Sequence, residues 1–335
     1  MNEARFVLSK SKVLERYNFL RGLCPNISYS LKSNPEVGRI LEEGTDCTFG
    51  VHSVEGLSDL KDPSRVHFLV DANDKETLSS LLRKGIRTFI IDNEEDLSNF
   101  LEVIRKEKAR VDLFLRIRFQ ETTIYKGRFF LYGITPDRIN KLIPELRKNP
   151  HVRKLGVHFN RKTQNTGNWN YKHALQEMLS EETLKSTDMI NIGGGIPVDY
   201  KNTNASNMDY IIEKIKELKS WLDSLGIGMM MEPGRPIAAP SVRLEAFITS
   251  ISGRHITLNA SVYNSAMDTI IVPFKLLVEG EGEGESYIIK GCTPCSMDIF
   301  RYDVRLKNPK VGDKIIFLNA GAYNFTSNFC NLKKP

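Results

Sequence analysis

Cysteine is scarce in this chain of 335 residues: Cys24, Cys47, Cys292, Cys295 and Cys330, an odd number spread over the whole length. That excludes a disulfide-stapled scaffold. Cys292-Thr-Pro-Cys295 has C-x-x-C spacing, but there is no second such pair and no histidine close by, so the four ligands of a structural zinc site are missing and no metal is expected. Long apolar runs are also lacking, which argues against a transmembrane helix. The opening Met-Asn-Glu-Ala-Arg lacks the charged-then-apolar layout of a signal peptide, and a cytoplasmic protein is expected. Lys/Arg-rich blocks are absent too. The net charge of +6 is scattered, so it favours anionic small ligands over nucleic acid. With 41% hydrophobic and 26% charged residues, neither a disordered nor a fibrous chain fits.

What is present is repetition. From about residue 27 to 232 a short apolar run, a turn and an amphipathic stretch recur. The spacing predicts strands at Ile27–Leu31, Asp46–Phe49, Val66–Val70, Thr88–Ile91, Val111–Ile117, Lys154–Phe159, Met189–Ile192 and Gly228–Glu232. Helical stretches lie between them; in Tyr210–Ser224, Ile211, Ile212, Ile215, Leu218 and Leu222 share one face. Strands alternating with helices demand a parallel sheet, and eight of them suggest an α/β fold closed as a (β/α)₈ TIM barrel. After Pro240 the helical period stops, and β-like runs follow at Ser241–Thr249, His255–Ala260, Ile270–Val278, Ser286–Lys290 and Lys314–Leu318. The Glu-Gly alternation at Glu279–Glu285 reads as an exposed hairpin loop. The expected organisation is a barrel over 20–240 and a C-terminal β-rich domain over 241–335, to which residues 1–19 add a strand at Ala4–Ser9.

The unusual residues gather at C-terminal strand ends, the face where barrel enzymes build their sites. Lys32 follows the first strand and Arg116 closes the fifth. Asn160 and Thr163 follow the sixth, Gly193-Gly194-Gly195 the seventh, and Glu232-Pro-Gly234-Arg235 the eighth. A glycine triplet lets backbone N–H groups approach an anion, and Arg235 could add a charge-assisted contact to the same phosphate. A partly desolvated lysine reacts with an aldehyde. A carboxylate such as Glu232 facing a pyridine nitrogen keeps it protonated. Taken singly, each is an ordinary solvated lysine, turn or surface ion pair. Their joint order on successive strand ends carries the functional reading.

Tyr29-Ser-Leu-Lys32-Ser-Asn-Pro35, Gly193-Gly194-Gly195, Glu232-Pro-Gly-Arg235, Cys295-Ser-Met-Asp298 and Gly321-Ala-Tyr323 resemble, in order, the motifs of the ornithine/diaminopimelate decarboxylases. These depend on pyridoxal 5'-phosphate (PLP) and have the alanine-racemase-type fold, fold type III. The resemblance implies roles. Lys32 would carry the cofactor covalently, Asp46 would be the acidic residue near it, and Arg116 would support the site. Glu232 would pair with the pyridine nitrogen, and Gly193, Gly194, Gly195, Gly234, Arg235 and Tyr323 would hold the phosphate. Cys295 would come from the neighbouring subunit of a homodimer and return a proton to Cα once CO₂ has left.

Several positions depart from the family pattern. The family's ring-stacking histidine falls on Asn160; His158 comes two residues earlier and reads as a strand residue. Thr163 still offers a hydroxyl to phosphate. Arg161 and Lys162 replace a small apolar pair, which points either to an extra anionic group on the substrate or to solvated loop charges. The substrate-selecting positions, Val272 and Ser296 with Asp298 nearby, lack the acidic residues at 272 and 296 that would hold a distal ammonium. The expected substrate is therefore a modified, possibly phosphate-bearing amino-acid group of specialised, antibiotic-like metabolism. The alternatives are an ornithine- or diaminopimelate-type decarboxylase of primary metabolism, a racemase, or a catalytically silent regulator. The loop Gln120–Gly133 is expected to cover the site.

Overall fold

The computed structural model describes residues 3–119, 132–203, 205–324 and 329–335, so most of the expected cover loop lies outside the described residues. Two compact units emerge. One comprises residues 17–196 and 207–233, the other 1–16, 197–206 and 234–335. A single cut at 240 therefore does not describe the chain. Residues 197–206 are tied into the second unit, where Lys201 N–H donates to Lys275 O, Asn319 Nδ2 donates to Asp199 O and Tyr200 stacks on Phe274.

Strand β1 (Arg5–Leu8) belongs to that second unit, where it pairs with Val242–Glu245. The first unit is a closed barrel of eight parallel strands: β2 (Asn26–Ser30), β3 (Thr48–Val51), β4 (Val66–Val70), β5 (Thr88–Ile91), β6 (Val111–Arg116), β7 (Val152–His158), β8 (Met189–Asn191) and β9 (Gly228–Met231). Parallel strands covered on both faces read as continuous apolar runs, which is why β4 and β5 match their sequence assignments residue for residue. The ring closes where β2 pairs with β9, Asn26 opposite Met230 and Ile27 opposite Met231. Ile90, Phe114 and Met230 form a buried cluster joined by Leu69 and Met189. Gly156 makes room for it, since a Cβ there would overlap the Phe114 ring.

Several helices begin on explicit caps. Asn93 accepts from the Asp96 N–H, Glu94, Glu95 and Asp96 fill the first turn, and Arg105 and Lys106 fill the last, in keeping with the helix dipole. Strand β3 starts later than expected, at Thr48, so Asp46 precedes it, at the opposite end of the strand from the C-terminal rim.

The β-rich unit holds a seven-stranded sheet built from β1, β10 (Val242–Ser252), β11 (His255–Leu258), β12 (Leu277–Val278), β13 (Glu285–Lys290), β14 (Ile299–Leu306) and β15 (Lys314–Leu318). The expected strand Ile270–Val278 is mostly not one. A short helix occupies Asp268–Ile271, Pro273 interrupts the chain, and only Leu277–Val278 pairs. Strand β14 went unread because a charged residue, Arg301, sits at one of its buried positions and breaks the alternation. The Glu-Gly loop is no hairpin either, since it joins β12, paired to β15, with β13, paired to β14. Its Glu281 turns inward, accepting from Arg301 Nη2 at 2.9 Å, while Arg301 also donates to the carbonyls of Leu276 and Asp303. Replacing Arg301 by methionine should lower the unfolding free energy by about 3 kcal/mol, because Glu281 loses its main partner. A urea titration followed by circular dichroism checks this; an unchanged midpoint would refute it.

Candidate active site

In the barrel unit, Lys32 lies in a single 3₁₀ turn, Leu31–Ser33, between β2 and the helix Pro35–Gly44. Asn34 ends that turn in an extended conformation and caps the helix by accepting from the N–H groups of Glu36 and Val37. The Tyr29 hydroxyl donates to Asn34 O at 3.0 Å and fixes the corner. The side chain of Lys32 is open to solvent yet crowded by surrounding protein. Crowding pushes its amine below the ordinary lysine value; Glu232 opposes the shift and Arg116 adds to it. The effect is a larger share of the neutral, nucleophilic amine.

Glu232 directly follows β9. Its Oε1 accepts from Asn191 Nδ2 at 2.9 Å, and Oε2 lies 3.3 Å from His158 Nε2, an ion-pair contact rather than a well-directed hydrogen bond. Burial pushes this carboxyl up, but His158, Asn191 and His52 outweigh burial and hold it down at about 2. His52 is itself pushed down to about 4, by burial first and then by Lys32, so it is neutral at pH 7. Arg116 reaches the same region and donates to Asp92 Oδ1 at 2.8 Å. Buried polar atoms without a hydrogen-bond partner, Ser28 Oγ, His52 Nδ1 and His67 Nδ1, belong to this barrel as well.

The glycine loop is built against the same carboxylate. Glu232 N–H donates to Gly193 O, and Gly193 N–H donates to Asn191 Oδ1 at 3.0 Å. Gly193 has φ +63° and Gly195 φ +106°. A Cβ on Gly193 would overlap Phe159 O and lie 2.8 Å from Asn160 Oδ1, so only glycine fits. Asn160, expected against the cofactor ring, accepts from Gly194 N–H at 3.0 Å and so braces this loop. Asn165 N–H donates to Gly195 O, and Trp169 Nε1 donates to Asn165 O at 2.7 Å. Thr163 is half-buried and Lys162 exposed in this segment.

Two predicted site residues have other tasks here. Asp46 is exposed, accepts from the Tyr17 hydroxyl at 2.8 Å and pairs with Arg21 at 2.7 Å, at the far end of β3. Arg161 lies over the rings of Phe119 (4.5 Å) and Tyr171 (5.4 Å), held by cation–π contacts. Residues the sequence reading passed over, His52, Asp92 and Asn191, belong to the cluster. Asn191 carried the one usable signal, a polar residue closing a buried strand two positions before the glycine triplet.

The β-rich unit holds the remaining candidates. Gly234 precedes the short helix Arg235–Ser241. Buried Arg235 donates to Asp268 Oδ2 at 2.6 Å and to the Tyr200 hydroxyl at 3.0 Å, and its guanidinium lies over Phe274 and Tyr323. Asp268 is a partner the sequence did not announce. Cys295 Sγ is 3.0 Å from the Tyr263 hydroxyl, and this contact, with the Met297 N–H, draws the thiol below its ordinary value. Asp298 is buried and anchors the segment around it, accepting from Val262 N–H, Thr293 N–H and Thr293 Oγ1. Val272 is half-buried beside the short helix, and Ser296 is exposed.

The barrel's donor set fits a phosphorylated pyridine aldehyde. It offers a depressed amine, a carboxylate for a ring nitrogen, a glycine loop no Cβ could enter, and unpartnered polar atoms beside them. The depressed carboxyl also links stability to pH. Glu232 titrates at about 2 in the fold against an ordinary 4.5, so its stabilising share is full above about 4.5 and is lost as pH falls towards 2. Urea midpoints measured between those values should fall less steeply in Glu232→Gln than in the wild type; parallel curves would contradict the assignment.

Residues 19–239 match the family model for the pyridoxal-dependent decarboxylase, pyridoxal binding domain. A probable ornithine decarboxylase of Dictyostelium discoideum is 24% identical over 97% of this chain and 76% of its own length. A Staphylococcus aureus 2-[(L-alanin-3-ylcarbamoyl)methyl]-2-hydroxybutanedioate decarboxylase is 22% identical over 89% of this chain and 82% of its own. The fold is similar to the lysine/ornithine decarboxylase of Vibrio vulnificus, solved with putrescine, with TM-score 0.82 and 21% identity over 99% of this chain and 92% of that one. Reading, geometry and family model agree: the chain belongs to the pyridoxal-dependent decarboxylases, with PLP as its cofactor.

Proposed function

We propose that Lys32 carries the cofactor, Glu232 faces its ring nitrogen and the Gly193–Gly195 loop receives its phosphate. The reaction removes the α-carboxylate from an amino-acid group borne on a larger anionic molecule. The observation that carries this reading is the depressed amine of Lys32 beside Glu232 at the strand ends of a PLP-family barrel.

PLP, when bound, supplies the electron sink for the pair released as CO₂ departs. Lys32, partly neutral, is the nucleophile toward the aldehyde. Glu232, ionised and held by Asn191, retains a proton at the ring nitrogen. The glycine loop, whose Gly193 and Gly194 N–H groups donate to Asn191 and Asn160, would offer the dianion a cradle that no Cβ could share. Cys295 returns the proton to Cα in a homodimer. Support comes from its accessible thiol, acidified by Tyr263, and from the large apolar side chains Ile271, Met297 and Tyr302 left exposed on the same unit.

The substrate class follows from charge. Val272 and Ser296 provide no carboxylate for a distal ammonium. The buried carboxylates Asp268 and Asp298 are engaged, by Arg235 and by Thr293 and Val262. The Staphylococcus relative's name describes an alanyl group on a hydroxybutanedioate, a substrate of the proposed kind, whereas the Dictyostelium relative is named for ornithine.

Wild-type protein with PLP should develop a visible absorption band that Lys32→Ala lacks; its absence from both proteins would sink the reading. Amino-acid groups amide-linked to polycarboxylates should release CO₂ at least tenfold faster, by kcat/KM, than ornithine, lysine or diaminopimelate. The reverse order would assign the chain to primary metabolism. Cys295→Ala should keep the band and its PLP affinity while slowing product formation about a hundredfold; unchanged turnover would remove Cys295 from the reaction.

A further inference from the structure

His158 has no task in the reading above, yet it is buried against Glu232. It ends β7, opposite Arg116 of β6 and Asn191 of β8 in the barrel ladder. It is 3% exposed, and neither ring nitrogen makes a well-directed hydrogen bond. Among the described residues its ion-pair contact is Glu232 Oε2, at 3.3 Å. A buried imidazole left so poorly satisfied costs stability, and a histidine kept only for packing is more cheaply replaced by an apolar residue. Glu232 is thereby gripped on both oxygens, by Asn191 at Oε1 and by His158 at Oε2.

We propose that His158 is a positioning residue for Glu232: it holds Oε2 and shares the carboxylate's charge, and so sets how firmly Glu232 keeps a proton on the cofactor's ring nitrogen. This rests on the assignment of Glu232 to that nitrogen. The charged and titratable groups around the pair are Lys32 and His52 from the turns after β2 and β3, His67 from β4, and Arg116 from β6 with its partner Asp92. At pH 7 His52 is neutral and the charge of Arg116 is offset by Asp92, so partly charged Lys32 supplies the positive charge that these groups bring to Glu232. A proton on His158 Nε2 donated to Oε2 makes Glu232 a weaker base, and the ring nitrogen then loses its proton at lower pH. Without the imidazole, the carboxylate is more basic and the ring proton persists to higher pH. The proton count is unchanged; only its distribution over three groups moves.

The test uses holoprotein loaded with PLP labelled with ¹⁵N at the ring nitrogen, followed by NMR against pH, with PLP dissociation constants measured in parallel. His158→Ala should move the loss of the ring proton upward by about one pH unit, a tenfold change in proton affinity. His158→Gln, which keeps a donor but not the imidazole, should shift it in the same direction by less. PLP affinity should change less than tenfold in either. A structural role alone would lower the thermal midpoint and leave the ring-nitrogen titration where it was. Should the alanine variant not fold, the glutamine variant decides, because it keeps a polar group of similar size against Glu232 Oε2. Variants whose ring nitrogen titrates like that of the wild type would overturn the proposal. A wild type with no Lys32-dependent band would instead defeat the underlying reading of the site.

Discussion

The parallel ladder between β2 and β9 closes the barrel, and the chemistry of its rim depends on that closure. Asn26 and Ile27 pair with Met230 and Met231, and beyond the last rung Ser30 N–H still donates to Pro233 O. Two chain segments far apart in sequence are thereby set side by side, one leading to Lys32 and the other to Glu232. Sheet closure is cooperative: a barrel open at this seam would leave two unpaired edges and no fixed spacing between amine and carboxylate. The apolar cluster of Ile90, Phe114 and Met230 within the barrel offsets the cost of keeping histidines, a carboxylate and unpartnered polar atoms in the same structure.

Much of this was legible in the sequence, for identifiable reasons. Strands covered on both faces are apolar throughout, so Val66–Val70 and Thr88–Ile91 could be read directly, and eight strand-and-helix units implied closure. Glycine at 193 and 195 reflects positive φ, a constraint written in residue type. What could not be read depends on partners remote in sequence. Arg161 looked free because the aromatic ring it covers, Phe119, comes from another strand end. Asp46 was placed near the lysine by the family resemblance alone, and it lies ahead of β3, at the end of the strand away from the rim. His158 looked like strand packing until Glu232 stood beside it. In the β-rich unit, Arg301 and Glu281 are charged residues in buried places, and no hydrophobic pattern announces a buried ion pair.

Arg235 shows how residue type underdetermines role. The sequence offers a cation after the eighth strand. The structure offers a guanidinium with one carboxylate and one phenol already attached, walled by Phe274 and Tyr323. Such a group supplies directed N–H donors more than net charge, and Asp268 fixes where they point. The walls and the ion pair come from one chain segment, 234–335, and the phenol, Tyr200, from another segment of the same unit, 197–206.

That segmentation bears on how the protein is made. Arg5 of β1 faces Glu245 of β10 across the sheet, and β10 in turn leans on β15, whose Lys314–Leu318 come near the end of the chain. The barrel segments lie between β1 and its partner β10 in the chain, so β1 is made before them and waits through their synthesis with its ladder groups unpaired. Its outward arginine, Arg5, and its length of four residues keep that exposed edge from recruiting another nascent chain in the interval.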